Sequence, residues 1–228
     1  MRPVMLAVAG PPGSGKSSIF PVAETGFDYF NVDDAAAVLN GGSYRHIPPA
    51  MRAQANRQCE EFIARHIQNQ KSFAVEIRLR TGVTFEQAAQ ARANGFIVRM
   101  RFVALESVEQ NIERIAARAE AGGHSAAEAT IRETHRASLK NLVRAIREMD
   151  SLLAYDNTAF AREPRRVFQA REGAGGVYLS RVPLASRDVE GNGVRGGPPE
   201  LADVRAAGTS PNRDGAEAMK RIVLYSDS

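Results

Sequence analysis

Gly10, Gly15, Lys16 and Ser17 fall in the order G-x-x-x-x-G-K-[ST] within "AVAGPPGSGKSSIF", a spacing suited to gripping a chain of phosphates. That chemistry asks successive backbone N–H groups to point at one anion, and glycine tolerates the turns this requires. Pro11, Pro12, Gly13 and Ser14 complete the loop, and Ser18 follows it. Lys16 adds a full charge for the outer phosphates and the Ser17 hydroxyl can take a magnesium position. A helix starting at Lys16 or Ser17 adds the positive end of its dipole. ATP with Mg2+ is the expected ligand, since no guanine-reading N-K-x-D follows in the sequence.

A gripped triphosphate leaves open which group receives its terminal phosphate. In an open α/β sheet the carboxyl ends of the strands face the ligand crevice. Asn31, Asp33, Asp34 and Glu76 fall at such ends, and Asn31, Asp33 and Glu76 are the candidates for holding an acceptor. A carboxylate beside the terminal phosphate can take the proton from an attacking hydroxyl. Asp33 suits that task better than Asp34, which fits the N-cap of the helix expected over "DDAAAVL". Glu76 could organise magnesium through water or hold a substrate hydroxyl; a plain surface charge at a strand end is the alternative. Arg114 and Arg118, four residues apart, share one helix face. A Gly122-Gly123 break and Arg132 lie beyond them. An arginine-bearing helix, a glycine hinge and a second helix suggest a lid that closes over ATP and offsets charge on the migrating phosphoryl group. A solvated arginine face is the competing reading.

The elements that must position these residues alternate along the chain. "PVMLAVA" predicts a buried parallel strand running into the phosphate loop, and "FDYFNVDD" a second strand. Ala55, Cys59, Phe62, Ile63 and Ile67 recur at helical spacing between Pro49 and Gln70. "SFAVEIRL" predicts a third strand, "TFEQAAQARANG" a helix stopping at Gly95, and "FIVRMRFVAL" a fourth strand. A helix from Ser107 to about Ala121 precedes the glycine pair. Ile131, His135, Leu139, Leu142, Ile146 and Met149 mark another amphipathic helix. "RVFQAR" and "GGVYLS" predict two short final strands. This order implies a P-loop NTPase fold: three α/β/α layers, a mostly parallel sheet and a helical lid.

The chain has 228 residues, 43% of them hydrophobic, enough for one domain with a full core. That domain is expected over residues 1–182. From 183 to 228 the composition turns to Gly, Pro, Asp and Arg without apolar period, which predicts a flexible tail. Cys59 is the only cysteine, so an intrachain disulfide and a cysteine zinc site are both ruled out. No run approaches the roughly 18 apolar residues of a membrane span. A cytoplasmic location is the expectation. The sequence pI is about 9.5, yet sparse aromatics and the lack of a basic-aromatic cluster argue against nucleic acid as a partner. Packing is the expected role of His66 and His135, a loop position that of His46, and a turn that of Asp156 in "YDNT".

Taken in order, "GPPGSGKSS", "FNVDD", "KSFAVEIRL", "ARANGFIVRMRFVALESVEQNIERIAARAEAGGH", "IRETHRASLKNL" and "YDNT" resemble the zeta toxin family of P-loop kinases over roughly residues 1 to 180. The resemblance implies an ATP-dependent small-molecule kinase, with a hydroxyl of the amino sugar in UDP-N-acetylglucosamine as the acceptor in characterised members. It implies Asp33 as general base, Lys16 as the phosphate-loop lysine and Glu76 as a substrate-binding glutamate. Arg118 would contact the γ-phosphate and Arg114 opens the same motif. His124 belongs to the matching segment. A protein antitoxin or inhibitor on another chain is the partner the resemblance suggests. Two positions depart from the pattern. Thr134 and His135 stand where the family commonly has an arginine before an aromatic, with Arg132 and Arg136 nearby to supply that charge. Ile77, followed by Arg78, stands where a threonine follows the strand-end glutamate. A nucleotide-dependent regulatory ATPase or binding module without a small-molecule acceptor is the alternative from another functional class.

Overall fold

Burial on both faces of β1 (Val4–Ala9) sets the frame. Met5, Ala7 and Ala9 join one hydrophobic cluster and Leu6 and Val8 another, as a parallel sheet covered on both sides requires. The computed structural model of the protein describes residues 1–120, 126–159, 164–173 and 176–181. Within them β2 (Asp28–Asn31), β3 (Phe73–Ile77), β4 (Ile97–Ala104), β5 (Ser151–Asp156), β6 (Arg165–Gly173) and β7 (Gly176–Arg181) join β1 in a seven-stranded sheet of order β2-β3-β1-β4-β5-β6-β7. Strands β1 to β5 are mutually parallel, and β6 and β7 add antiparallel at one edge. The strand β5 is absent from the sequence reading. "SLLAYD" follows the preceding helix so directly that its apolar residues continue the helical period.

Three helices cover one face: α3 (Pro49–Gln68), α4 (Val83–Ala93) and α6 (Glu128–Glu148). They bury Phe62, Phe85 and Leu139 against Phe73, Val98, Met100 and Leu152 in a single cluster. On the other face α1 (Lys16–Ile19) and a 3-10 turn at Val22–Glu24 bring Phe20 and Val22 onto Leu6, Val8 and Ala74. The fold is thus α/β, with a mostly parallel sheet between helices.

Local chemistry explains the element ends. Pro49 occupies the first turn of α3, where its missing N–H costs nothing. At four residues α1 is shorter than the sequence reading suggests, because Pro21 cannot donate to the ladder and disfavours helical backbone at Phe20. The N-cap of α2 (Val32–Leu39) is Asn31, whose Oδ1 accepts from the backbone N–H of Asp33 at 2.9 Å and of Asp34 at 3.5 Å. Asp34 is therefore a first-turn residue, not the cap expected for it.

The helix α5 (Val108–Glu120) lies over the phosphate loop, with Asn111 and Ile115 buried. The stripe expected on α6 is real, but it faces the core: Ile131, Leu139, Leu142 and Ile146 are all buried. The glycine pair between these helices, His124 and the segment 183–228 lie outside the described residues. Among the described residues no helix is long and apolar enough to cross a membrane.

Candidate active site

Strands β1, β3 and β2 end side by side, with Val8 registered against Glu76 and Glu76 against Asn31. The phosphate loop leaves β1 at this edge and is braced from two sides. Asn111 Nδ2 on α5 donates to the Pro12 carbonyl at 2.8 Å, and Asn157 Nδ2 just after β5 donates to the Ser14 carbonyl at 2.9 Å. Those contacts are close enough to demand glycine. A Cβ on Gly13 (φ +77) would lie 2.8 Å from the Asn111 carbonyl oxygen, and one on Gly15 (φ +88) 2.4 Å from Asn157 Nδ2. With carbonyls turned toward the braces, the loop's N–H groups are left for an anion.

Lys16 is 7% exposed. Its Nζ donates to the carbonyls of Gly10 at 3.0 Å and Pro11 at 3.1 Å and lies 3.9 Å from Glu76 Oε1. Burial lowers its pKa, and the Glu76 charge opposes that shift. The Ser17 hydroxyl donates to Glu76 Oε2 at 2.9 Å. Burial raises the Glu76 pKa against the pull of Lys16 and Ser17. Both partners are pushed toward neutrality because neither is fully solvated and the gap between them is too long for a tight ion pair. The oxygen pair of Ser17 and Glu76 is the set best suited to a hard cation such as magnesium. Among the described residues no group of three or more His, Cys, Asp or Glu could hold a metal, so any cation here would draw further ligands from phosphates and water.

Asp33, on the first turn of α2, faces this edge. Its Oδ1 accepts from Arg78 Nη2 at 2.5 Å and lies 3.8 Å from Arg52 Nη1. Asp34 is taken by the Tyr44 hydroxyl at 2.8 Å; burial, then this carboxylate, pushes the Tyr44 pKa up to about 12. A cavity of about 410 Å³ gathers Pro12, Gly13, Gly15, Lys16, Ser17 and Ser18 with Asp33, Glu76, Arg114 and Arg118, all expected from sequence. A larger hollow of about 850 Å³, lined by Leu6, Phe20, Phe27, Arg99 and Leu153 among others, contains none of these groups. The smaller cavity is the candidate site because the phosphate loop and both carboxylates open onto it.

Other expected residues lie elsewhere. Gly10 and Pro11 serve through carbonyls that hold Lys16, and Ser14 is wholly buried. Asn31 caps α2 and does not line the cavity. Arg132 is corrected outright: its guanidinium binds Glu109 at 2.8 Å and Glu128 at 2.8 Å on the exterior. Thr134 and His135 are 1% and 2% exposed, so that turn of α6 packs inward. Arg136 is exposed and also outside the cavity. The charge expected there comes instead from Arg78, which the sequence reading placed only as a departure.

Asn111, Asn157 and Arg52 were also missed as site residues, since a lone Asn or Arg carries no spacing signal. Arg114 Nη2 donates to the carbonyls of Asn157 at 2.9 Å and Thr158 at 3.2 Å, tying α5 to the end of β5. Asp156 makes the expected turn, accepting from the Thr158 N–H at 2.9 Å. His66 and His135 are buried as expected, at 5% and 2% exposure, His66 against Phe62 and Phe73.

A family model described as zeta toxin matches residues 1–173 of this chain. No curated protein sequence matches it. Among solved structures, one from the PezAT chromosomal toxin–antitoxin system of Streptococcus pneumoniae superposes with a TM-score of 0.55 at 16% identity, covering 74% of this chain and 72% of that one. A putative kinase from Chloroflexus aurantiacus gives 0.53 at 20% identity, covering 69% and 90%. AvrRxo1-ORF1:AvrRxo1-ORF2, solved with ATP, gives 0.60 at 15% identity, covering 98% and 76%. At these identities the structures speak for the fold.

Proposed function

The chain belongs to the zeta toxin family, and we propose that it moves the γ-phosphate of Mg-ATP to a hydroxyl of a small-molecule acceptor. Nucleotide-dependent, kinase-like function is common ground for the family; the acceptor and the residue roles are this proposal. The observation that carries it is the placement of Asp33 in one cavity with Lys16, Arg118 and the phosphate loop.

In this reading the loop N–H groups and Lys16 hold the outer phosphates, and Arg114 and Arg118 reach the same anion from α5. Asp33 accepts the proton of the acceptor hydroxyl as its oxygen bonds to the γ-phosphorus and the bond from that phosphorus to the ADP oxygen breaks. A base so placed contributes about 10²- to 10⁴-fold, and an arginine on the migrating group about 10³- to 10⁵-fold. Ser17 and Glu76 would hold magnesium, which supplies positive charge to the β- and γ-phosphates. A nucleotide sugar such as UDP-N-acetylglucosamine is the acceptor the family suggests. The toxin–antitoxin pairing named for the pneumococcal structure makes a protein antitoxin the partner to seek, and a cytoplasmic location remains part of the proposal.

Incubation with labelled ATP and a panel of hydroxylated acceptors tests the reading. A labelled product that Asp33→Asn abolishes, with ATP binding kept, is the expected outcome. Release of only ADP and free phosphate against every acceptor would favour the regulatory ATPase reading instead.

A further inference from the structure

The acceptor side of the cavity carries more positive charge than an alcohol needs. Lys16, Arg78, Arg114 and Arg118 line the cavity with two carboxylates, Asp33 and Glu76, among the described residues. Glu76 is engaged by Ser17 and Lys16. Asp33 alone faces both Arg78 and Arg52.

The Arg78 side chain is held in place by a backbone that has been forced into shape. Leu79, its neighbour, has φ +50, a left-handed conformation that costs a non-glycine residue about 1–2 kcal/mol. Three contacts from α6 hold this corner. The Ser138 hydroxyl donates to the Arg78 carbonyl, Asn141 Nδ2 donates to the Leu79 carbonyl at 2.9 Å, and Glu133 binds Arg80 at 3.0 Å. The Leu79 side chain is 1% exposed, so the corner cannot turn without opening the core. Arg78 is thereby presented to the cavity at 30% exposure, with Nη2 at 2.5 Å from Asp33 Oδ1.

We propose that Arg78 forms an anion-binding subsite beside Asp33, so that the acceptor carries a phosphate or carboxylate next to the hydroxyl that is phosphorylated. Charge balance through the reaction supplies the reason. When Asp33 accepts the hydroxyl proton its negative charge disappears, and with a neutral acceptor Arg78 and Arg52 would then face one another without a counter-ion. An anionic group on the acceptor keeps Arg78 paired throughout, so the transition state for an anionic acceptor is favoured over that for a neutral one. The planar fork of arginine suits such an oxyanion better than a lysine would. The word acceptor rests on the kinase reading above; the subsite itself rests on the geometry.

The test uses the full chain saturated with Mg2+ and a non-hydrolysable ATP analogue, so that the phosphate loop is filled, and titrates in inorganic phosphate or acetate by calorimetry. One saturable anion per chain is expected, weakened about ten- to a hundredfold by Arg78→Gln, weakened less by Arg78→Lys, and unchanged by Arg80→Gln. Preference for phosphate or for acetate identifies which group the subsite takes. Absence of saturable binding of either anion, or equal affinity in wild type and Arg78→Gln, overturns the proposal. If Arg78→Gln loses the nucleotide analogue as well, Arg78→Lys carries the comparison, and unchanged affinity there overturns it. Failure of the kinase reading looks different: the anion binds as described, and no acceptor takes label from ATP.

Discussion

At the scale of single residues, two arginines that the sequence treats alike are separated by what holds them. Arg118 opens onto the cavity with Lys16 and Asp33, whereas Arg132 is clamped between Glu109 and Glu128 on the outside. Measured as kcat/KM with the best acceptor, Arg118→Ala should lose about 10³-fold or more, while Arg132→Ala should stay within a few fold, since exposed ion pairs contribute little. Equal losses from both would remove the assignment of α5 to the γ-phosphate. The phosphate loop, Asp33 and Glu76 were legible because motif spacing and strand ends are properties of the linear chain. Arg78 was not, because its approach to Asp33 joins β3 to α2 across 45 residues. Nor was the burial of Thr134 and His135, which depends on which side of α6 meets the sheet.

Elements decide how firmly the phosphate loop is held. The loop touches α5 through Asn111 and the end of β5 through Asn157, so a strand missing from the sequence reading turns out to brace the site. Its residues were hidden because a short apolar run directly after an amphipathic helix satisfies both periods, and only pairing with Arg99 through Ala104 shows it to be a strand. Asn157→Ala removes the bond to Ser14 and leaves that carbonyl without its side-chain donor. A net hydrogen bond of about 1 kcal/mol corresponds to roughly fivefold weaker ATP binding, measurable by equilibrium titration. Because Asn157 sits beyond the strand, the thermal midpoint should shift by only a few degrees. Unchanged ATP affinity would mean that α5 alone sets the loop. The element ends that were read well, Pro49 opening α3 and Gly95 following α4, are ones where a residue's own backbone chemistry acts locally.

For the molecule as a whole, the question is whether the site and the core behave as one unit. Cys59 reports on it, because it sits on α3 in the same cluster as β1, β4, β5 and α6 and is 8% exposed. Burial, reinforced by the neighbouring Glu60, pushes its thiol pKa up to about 12, so little thiolate exists at pH 8 while the chain is folded. Alkylation by iodoacetamide should therefore be slow in buffer and rise with denaturant along the same curve as far-UV circular dichroism. A ligand that binds only the folded chain at about a hundred times its Kd adds about 2.7 kcal/mol. If exposure of Cys59 needs global unfolding, a saturating ATP analogue should then slow its alkylation about a hundredfold. Labelling that ignores the nucleotide would show α3 lifting off the sheet by itself. The loop between β1 and α1 would then be anchored to a core smaller than the one its helices appear to close, since nothing bound at the strand ends would be felt at the helix packed beneath them.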